Sequence, residues 1–264
     1  MTTNRVNDLG RKKTVPISEA YNIDRIDFLK KFPDNFFDLF IDDPPYGIGA
    51  DNPSIKPNTV KQKNGNIYPI KQSVYPKSDW DSRVPTPEYF DEVKRVSRNQ
   101  IIWGVNYFNY DFTGGRIVWD KLNGDTDQYD CEIAYCSIND RTDLVYCMWR
   151  GMIQGSYCGK NLSKAIIQQG NKKLNEKRIH PCQKPVILYA WLLNQYANPG
   201  YKIGDAHMGS QSSRIAAYKL GFDFWGCEKD KLIWEKGNDR FRCECFGEIK
   251  TEKGTLVQTN LFGV

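Results

Sequence analysis

The residues best suited to chemistry are Asp43-Pro44-Pro45-Tyr46-Gly47, which close the apolar run Phe36-Phe37-Asp38-Leu39-Phe40-Ile41-Asp42. A run this short and apolar, ended by Pro-Pro, predicts a buried strand that stops at or before Asp43, since proline has no N–H for a sheet ladder. Each proline also holds the residue before it in extended geometry, so Asp43 and Pro44 are kept out of the helical region. The product is a stiff corner carrying one carboxylate, one aromatic ring and unpaired carbonyls, at the strand edge where open α/β sheets bind ligands. Such a corner can hold a planar amine: carboxylate and carbonyl oxygen accept its two N–H bonds, and the ring stacks on its face. Taken alone, a plain proline turn accounts for the stretch equally well.

A second stretch has the logic of a mononucleotide-binding half. The strand Tyr201–Asp205 runs into Ala206-His207-Met208-Gly209-Ser210, a helix follows from Ser212 to Leu220 with Gly221 as its cap, and the strand Phe222–Cys227 ends on Glu228. Gly209 lets a ligand approach the backbone, and Glu228 can bridge two ribose hydroxyls. The three-glycine dinucleotide fingerprint is absent. Gly155 to Asn161 misses the phosphate-loop pattern in its gap and its last residue. A ligand with a ribose and no phosphate, such as S-adenosylmethionine, fits better.

Several elements must position these two stretches. The spacing of Ile23, Ile26, Phe28, Leu29 and Phe32 predicts a helix from Ser18, broken by Pro33-Asp34-Asn35. Pro87 opens a helix to about Ser97 with Phe90, Val93 and Val96 inward. Strand-like runs follow at 100–106, 116–120 and 129–138, separated by Thr113-Gly114-Gly115 and Asn123-Gly124. Val186–Ala197 is apolar almost all round and reads as a buried helix, and a last helix runs from about Asp230 to Arg240. Strands alternating with helices in the C-terminal half imply a parallel sheet. Two segments stand apart. Between Asp51 and Asp79 there are five lysines, four prolines and no acid, which reads as a mobile basic loop. Residues 140–180 read as an irregular basic insertion suited to nucleic acid, with a solvated surface as the plainer alternative.

Composition narrows the class. The chain has 264 residues, is 40% hydrophobic and 13% aromatic, and carries a formal net charge of +5, which permits a nucleic-acid partner without requiring one. No apolar run is long enough to span a bilayer and Met1–Arg5 lacks a signal-peptide core, so a cytoplasmic location with no membrane partner is expected. Eight cysteines then read as reduced, buried small hydrophobes. Their spacings and the two histidines, His180 and His207, give no zinc pattern, so no metal is expected.

With these residues on the page, the chain resembles the amino-group DNA methyltransferases. Asp43-Pro44-Pro45-Tyr46 looks like their catalytic motif, and Asp205 to Ser213 resembles their cofactor motif, usually Asp-Pro-Phe-x-Gly-Ser-Gly-Thr-Thr. His180-Pro181-Cys182-Gln183-Lys184-Pro185 resembles the His-Pro-x-x-Lys-Pro segment preceding it. Further matches run through Ile102–Phe108, Val118–Lys121 and Glu132–Tyr135. Catalytic motif first and cofactor motif last is the order of the β group, and the likeness is to small phage- or prophage-type members. It covers most of residues 20–242. Ala206, His207 and Gln211 depart from the motif and are expected to alter the cofactor pocket wall.

The resemblance implies a Rossmann-like α/β fold with a mixed, mostly parallel sheet and permuted motifs. It implies a methyltransferase domain over 16–242, with the loop 51–79 and a target-recognition insertion at 140–180, then a tail at 243–264. It implies methyl transfer from S-adenosylmethionine to adenine N6 in double-stranded DNA, with the base flipped out of the stack, as in restriction-modification enzymes. Asp43, Pro44, Pro45 and Tyr46 would be catalytic, with Tyr46 stacked on the base. Asp24 would sit near the cofactor adenine, Glu228 at its ribose, and Asp205, Gly209 and Lys184 around its methionine end. Asp43, His207 and Ser210 complete the expected cofactor contacts, with His207 a wall residue. Cytosine N4 is the alternative target, because the aspartate form of the corner favours adenine only as a family tendency. RNA or a protein glutamine is a further alternative, and a DNA-binding module with a degenerate pocket is the reading from another class. The tail's Gln258-Thr259-Asn260-Leu261-Phe262 resembles a sliding-clamp docking peptide, with packing on the domain itself the competing reading. Monomer and homodimer both stay open.

Overall fold

The computed structural model describes residues 15–50, 59–61, 67–69, 81–124, 129–150, 153–251 and 254–257. Its strands are β1 (Ser18–Tyr21), β2 (Leu39–Asp42), β3 (Thr59–Lys61), β4 (Ile67–Pro69), β5 (Gln100–Trp103), β6 (Gly115–Asp120), β7 (Cys131–Cys136), β8 (Thr142–Arg150), β9 (Ile153–Gly159), β10 (Lys202–Asp205), β11 (Asp223–Cys227), β12 (Glu248–Thr251) and β13 (Gly254–Val257). Its α-helices are α1 (Arg25–Leu29), α2 (Pro87–Val96), α3 (Leu162–Ala165), α4 (Val186–Tyr196), α5 (Ser212–Leu220) and α6 (Lys231–Phe246).

Nine strands form one sheet in the order β1-β11-β10-β2-β5-β7-β6-β8-β9. The run from β1 to β5 is wholly parallel, and only β7 and β9 oppose the rest. Helices α4 and α5 bury Leu188, Leu192, Leu193, Ile203 and Ala216 on one face of the sheet. On the other face α1 and α2 bury Phe28, Leu29, Tyr89, Phe90 and Val93. β2 lies inside both layers, with all four residues buried, which is why its sequence is an unbroken apolar run rather than an alternating one. After β2 the chain moves toward β5, whereas after β10 it moves toward β11. The crevice between their carboxyl ends is therefore a topological switch point, where such sheets take ligands.

Three expectations need correction. The helix expected from Ser18 begins only at Arg25. Residues 18–21 pair with 224–227 as an edge strand, and Asp24 accepts from the Ile26 N–H to start α1. The irregular insertion expected at 140–180 is ordered sheet over much of its length, because β8 and β9 form the sheet's far hairpin and bury Val145, Cys147, Met148 and Trp149. The last helix continues through Phe246, past both Arg240 and residue 242. The cysteines split as well. All are free thiols, but only Cys136, Cys147 and Cys227 are buried, while Cys131, Cys182 and Cys243 are exposed.

The basic loop at 51–79 lies outside the described residues apart from a two-stranded β3–β4 ladder, and the Gln258, Leu261 and Phe262 motif lies wholly outside them. Among the described residues no helix is long and apolar enough to cross a membrane.

Candidate active site

Asp43 follows directly on β2, and Pro44-Pro45 turn the chain along the sheet's carboxyl edge. All the bonds the described residues make to its carboxylate end on Oδ1: Lys184 Nζ lies 2.5 Å away and the Tyr46 hydroxyl 2.7 Å. Lys184 comes from the loop before α4 and is buried. Its ammonium also contacts Glu132 Oε2 at 2.8 Å and donates to the Tyr46 hydroxyl at 3.0 Å. Glu132, on β7, is held in turn by Lys121 Nζ at 2.5 Å, just past β6. The Tyr46 hydroxyl lies 3.0 Å from Glu132 Oε2 as well, so its single proton serves either carboxylate.

Two carboxylates and two ammoniums thus share one recess, unequally. Burial pushes both acids up, but Glu132 has two lysines against it and falls to about 2. Asp43 shares a single lysine and also feels Glu132, so burial keeps its carboxyl above the ordinary range. Burial works against charge on Lys184, but Asp43 and Glu132 outweigh it and hold the ammonium firmly protonated. The Tyr46 hydroxyl is raised far above its usual value by burial and then by the same two acids, so it remains a phenol.

Two of the expected residues carry further contacts. Lys184, expected at the methionine end of a cofactor, lines the cavity with its ammonium on Asp43, Glu132 and Tyr46. Tyr46 stacks on Tyr107, with centroids 4.9 Å apart and planes 13° apart, which takes one face of the ring. Gly104, at φ +73°, presses so close that any Cβ there would collide with the Tyr46 ring.

A second network binds this corner to the cofactor-type half. Asp42 is fully buried and points away from Asp43, as successive strand residues must. It accepts from the Tyr89 hydroxyl at 2.5 Å and the Ala206 N–H at 3.2 Å, and from His207 Nδ1 at 3.0 Å. Arg25 Nη1 lies 3.1 Å from His207 Nε2. A guanidinium only donates, so in this contact Nε2 accepts and Nδ1 is the nitrogen that donates to Asp42. Burial pushes Asp42 up, but the His207, Tyr89 and Ala206 contacts outweigh it and keep the carboxylate ionised.

Asp205 ends β10. Its carboxyl takes the Ser213 hydroxyl at 2.5 Å and the His207 N–H at 2.9 Å, and burial, reinforced by the nearby Asp42, lifts it well above the usual range. Gly209 turns with φ +46°, and its N–H donates to Glu228 Oε2 at 3.0 Å. Glu228 Oε1 accepts from the Asp230 N–H at 2.8 Å, so each oxygen keeps a second lone pair for a ligand. Asp24 stands at the rim as the cap of α1.

Asp24, Asp43, Pro44, Pro45, Tyr46, Lys184, Ala206, His207, Gly209, Ser210 and Glu228 all line one cavity of ≈ 1110 Å³. Asp205 lies just behind its wall. A volume above the roughly 300–1,000 Å³ of a typical small-molecule site leaves room for two ligands. Gln211, expected to alter the wall, does not reach it. Its backbone is left-handed at φ +62°, and its buried side chain turns the other way, to the Arg214 guanidinium at 2.9 Å and onto Gly237 of α6, where a Cβ would strike it. Of the three departures from the motif, only Ala206 and His207 touch the cavity. Sequence reading gave no role to Asp42, Arg25, Lys121 or Glu132, although Lys121 and Glu132 fall in stretches that match the resembled family. An acid inside the β2 apolar run was the available signal for Asp42, while the other three are brought in only by the tertiary fold. Among the described residues no cluster of three metal-ligating side chains occurs.

Fold and cavity define a Rossmann-like α/β protein whose large described cavity lies at the crevice between β2 and β10. Residues 118–238 match the N6_N4_Mtase family, described as DNA methylase. Over 269 aligned residues the chain is 22% identical to the Type II methyltransferase M2.MboI of Moraxella bovis, covering 82% of this chain and 84% of that protein. Among solved structures, the M1.HpyAVI–SAM complex covers 84% of this chain and 98% of its own at 16% identity and TM-score 0.46. PvuII DNA methyltransferase (cytosine-N4-specific) covers 87% and 93% at 11% identity and TM-score 0.44. The matched segment and the curated relative both make this chain similar to methyltransferases.

Proposed function

We propose that the chain transfers a methyl group from S-adenosylmethionine to the exocyclic N6 of adenine in DNA. The observation that carries the reading is the shared cavity: the Asp43-Pro44 corner and the Ala206–Gly209–Glu228 half open into one space, with Asp42 bonded across to Ala206 and His207.

The donor set suits the cofactor. Glu228 offers carboxylate lone pairs for ribose hydroxyls, Asp205 is a buried acid beside the proposed methionine end, and Gly209 leaves its backbone open to approach. The cofactor supplies an electrophilic methyl group on a sulfonium. The protein's part is placement. An aromatic exocyclic amine is a poor nucleophile because its lone pair is delocalised into the ring. Hydrogen bonds from it to Asp43 Oδ2 and the Pro44 carbonyl would draw the nitrogen toward tetrahedral geometry and localise that pair, so catalysis is mostly orientation and electrostatics. The base must leave the duplex stack to reach this recess, and Tyr46, which lines it, would be the aromatic ring beside the base. The aspartate form of the corner favours adenine over cytosine N4. Because Gln211 turns away from the cavity, the motif departures give little support to a degenerate pocket.

The test is incubation of mixed-sequence double-stranded DNA with methyl-labelled cofactor, followed by nucleoside mass spectrometry. N6-methyladenine is the expected product. N4-methylcytosine would redirect the target, and no methylated nucleoside together with no cofactor binding would refute the enzyme reading. The loop 51–79 and the exposed basic residues of 160–178, including Lys164, Lys172 and Lys173, are the proposed phosphate-contacting surfaces.

A further inference from the structure

The recess around Lys184 holds two acids where the proposed chemistry uses one. Glu132 lies on β7, across the recess from Asp43, and both compete for Lys184 Nζ, at 2.8 and 2.5 Å respectively. Glu132 alone has a second cation, Lys121, at 2.5 Å. We propose that Glu132 is a positioning residue: by sharing Lys184 with Asp43, and being neutralised itself by Lys121, it leaves Asp43 able to take the proton of the methylated amine. The inference rests on the methyl-transfer reading above.

The balance is simple. The amine nitrogen's lone pair forms the new C–N bond, the C–S bond breaks and its electron pair stays on sulfur, and the proton shed by nitrogen passes to Asp43 Oδ2. An aspartate paired with a lysine of its own would be a weak acceptor for that proton. In this recess Asp43 stays above the ordinary carboxylate range, through burial first and the Glu132 charge second, while Glu132 falls to about 2. The proton therefore stays on Asp43 and does not run on through Tyr46 to Glu132, although the phenol touches both. The other groups facing the recess do not compete. The Tyr46 hydroxyl, raised by burial and by the two acids, is protonated. Asp81 is occupied by the Gly47 and Ala50 N–H groups, and Asp42 points to His207 and Tyr89.

The assignment makes two variants move in opposite directions, which a merely structural role would not do. Glu132→Gln removes a like charge beside Asp43 and returns Lys184 to it, so the Asp43 carboxyl should titrate lower by about one unit or more. Lys121→Gln leaves Glu132 to draw harder on Lys184, so the same carboxyl should titrate higher. The measurement is carboxyl ¹³C NMR titration of the free, full-length protein, with Asp43 assigned by its loss in Asp43→Asn and folding checked by circular dichroism. The acid limb of the pH–rate profile should follow, moving down for Glu132→Gln and up for Lys121→Gln. Shifts of the same sign in both variants, or none, would overturn the proposal, as would NMR shifts that the rate profile does not follow. A wild-type chain that methylates no DNA amine would sink the underlying reading instead, and the NMR arm would still report whether Glu132 tunes Asp43.

Discussion

Asp43→Asn separates chemistry from architecture at this site, because Asp43 is both the proposed amine acceptor and half of a buried ion pair. The substitution keeps the side chain's shape and an acceptor for Lys184 but removes the charge. Lys184 has 4% side-chain exposure, and its remaining ionic partner is Glu132 at 2.8 Å. Breaking a buried pair by deleting one partner costs about 3–5 kcal/mol when the survivor is left alone. Here Glu132 stays bonded, so the loss should be nearer 1–3 kcal/mol. Loss of the charge that draws out the amine's lone pair and takes its proton should lower kcat by about 10³-fold or more, from the separate scales of electrostatic and general-base catalysis. Cofactor affinity, set by Asp205, Gly209 and Glu228, should stay within about threefold of wild type by the same logic of unchanged contacts. Adding Lys184→Met to Asp43→Asn removes the surplus positive charge, since Glu132 keeps Lys121, and should recover part of the stability in urea unfolding without restoring any activity. Labelled-methyl transfer, calorimetric cofactor binding and urea unfolding read the three quantities. An Asp43→Asn protein that methylates at wild-type rate would refute the assignment of the corner. A double variant no more stable than the single one would refute the account of the pair.

Three further outcomes follow from particular residues. His180 is held down to about 4, mainly by burial; a depressed folded value means its share of stability is present above an unfolded value of about 6.5 and is lost as pH falls toward 4, by up to about 3 kcal/mol. His180→Asn should flatten the difference in urea midpoint between pH 7.5 and pH 4.5 relative to wild type, and an unchanged difference would contradict the shift. Gly237→Ala should cost about 1–3 kcal/mol by overpacking against Gln211, and adding Gln211→Gly should recover most of it, which a double-mutant cycle by denaturation would measure while cofactor affinity stays unchanged. Gly104→Ala places a methyl group in the Tyr46 ring and strains a backbone at φ +73°, so methyl transfer should fall at least about tenfold with cofactor binding retained; full activity would show that Tyr46 placement does not matter.

Much of this arrangement is legible in the sequence where local chemistry and tertiary role agree. Pro44-Pro45 marks the end of β2 because proline excludes itself from a ladder, and Gly209 and Gly221 punctuate the turn and helix end around α5. The β8–β9 hairpin hides because its phase is inverted. Asp143 is buried beside the Lys160 ammonium and the Tyr196 hydroxyl, whereas Leu144 is exposed, so polarity along β8 misreports which face is inward. β1 hides for another reason: Ser18-Glu19-Ala20-Tyr21 has no strand signature of its own and is a strand only because β11 lies alongside it. Asp42 was visible as an acid in an apolar run, but its partners are 47 and 164 or more positions away in the chain. Glu132 and Lys121 look like ordinary strand-end charges until the sheet places them opposite Lys184.

The bond from Ala206 N–H to Asp42 also has a consequence for how the protein comes into being. β2 is synthesised early, but its neighbour β10 pairs with it through residues 203 and 204, so the catalytic corner has one open flank until four-fifths of the chain has left the ribosome. Asp42 spends that interval without the groups that later neutralise it, and the long separation between partners makes this a slow closure. Nascent chains therefore carry an Asp-Pro-Pro-Tyr corner that cannot yet hold a cofactor beside it. The crevice itself comes into being only late, when β10 lies down against β2 and β11 adds beyond it.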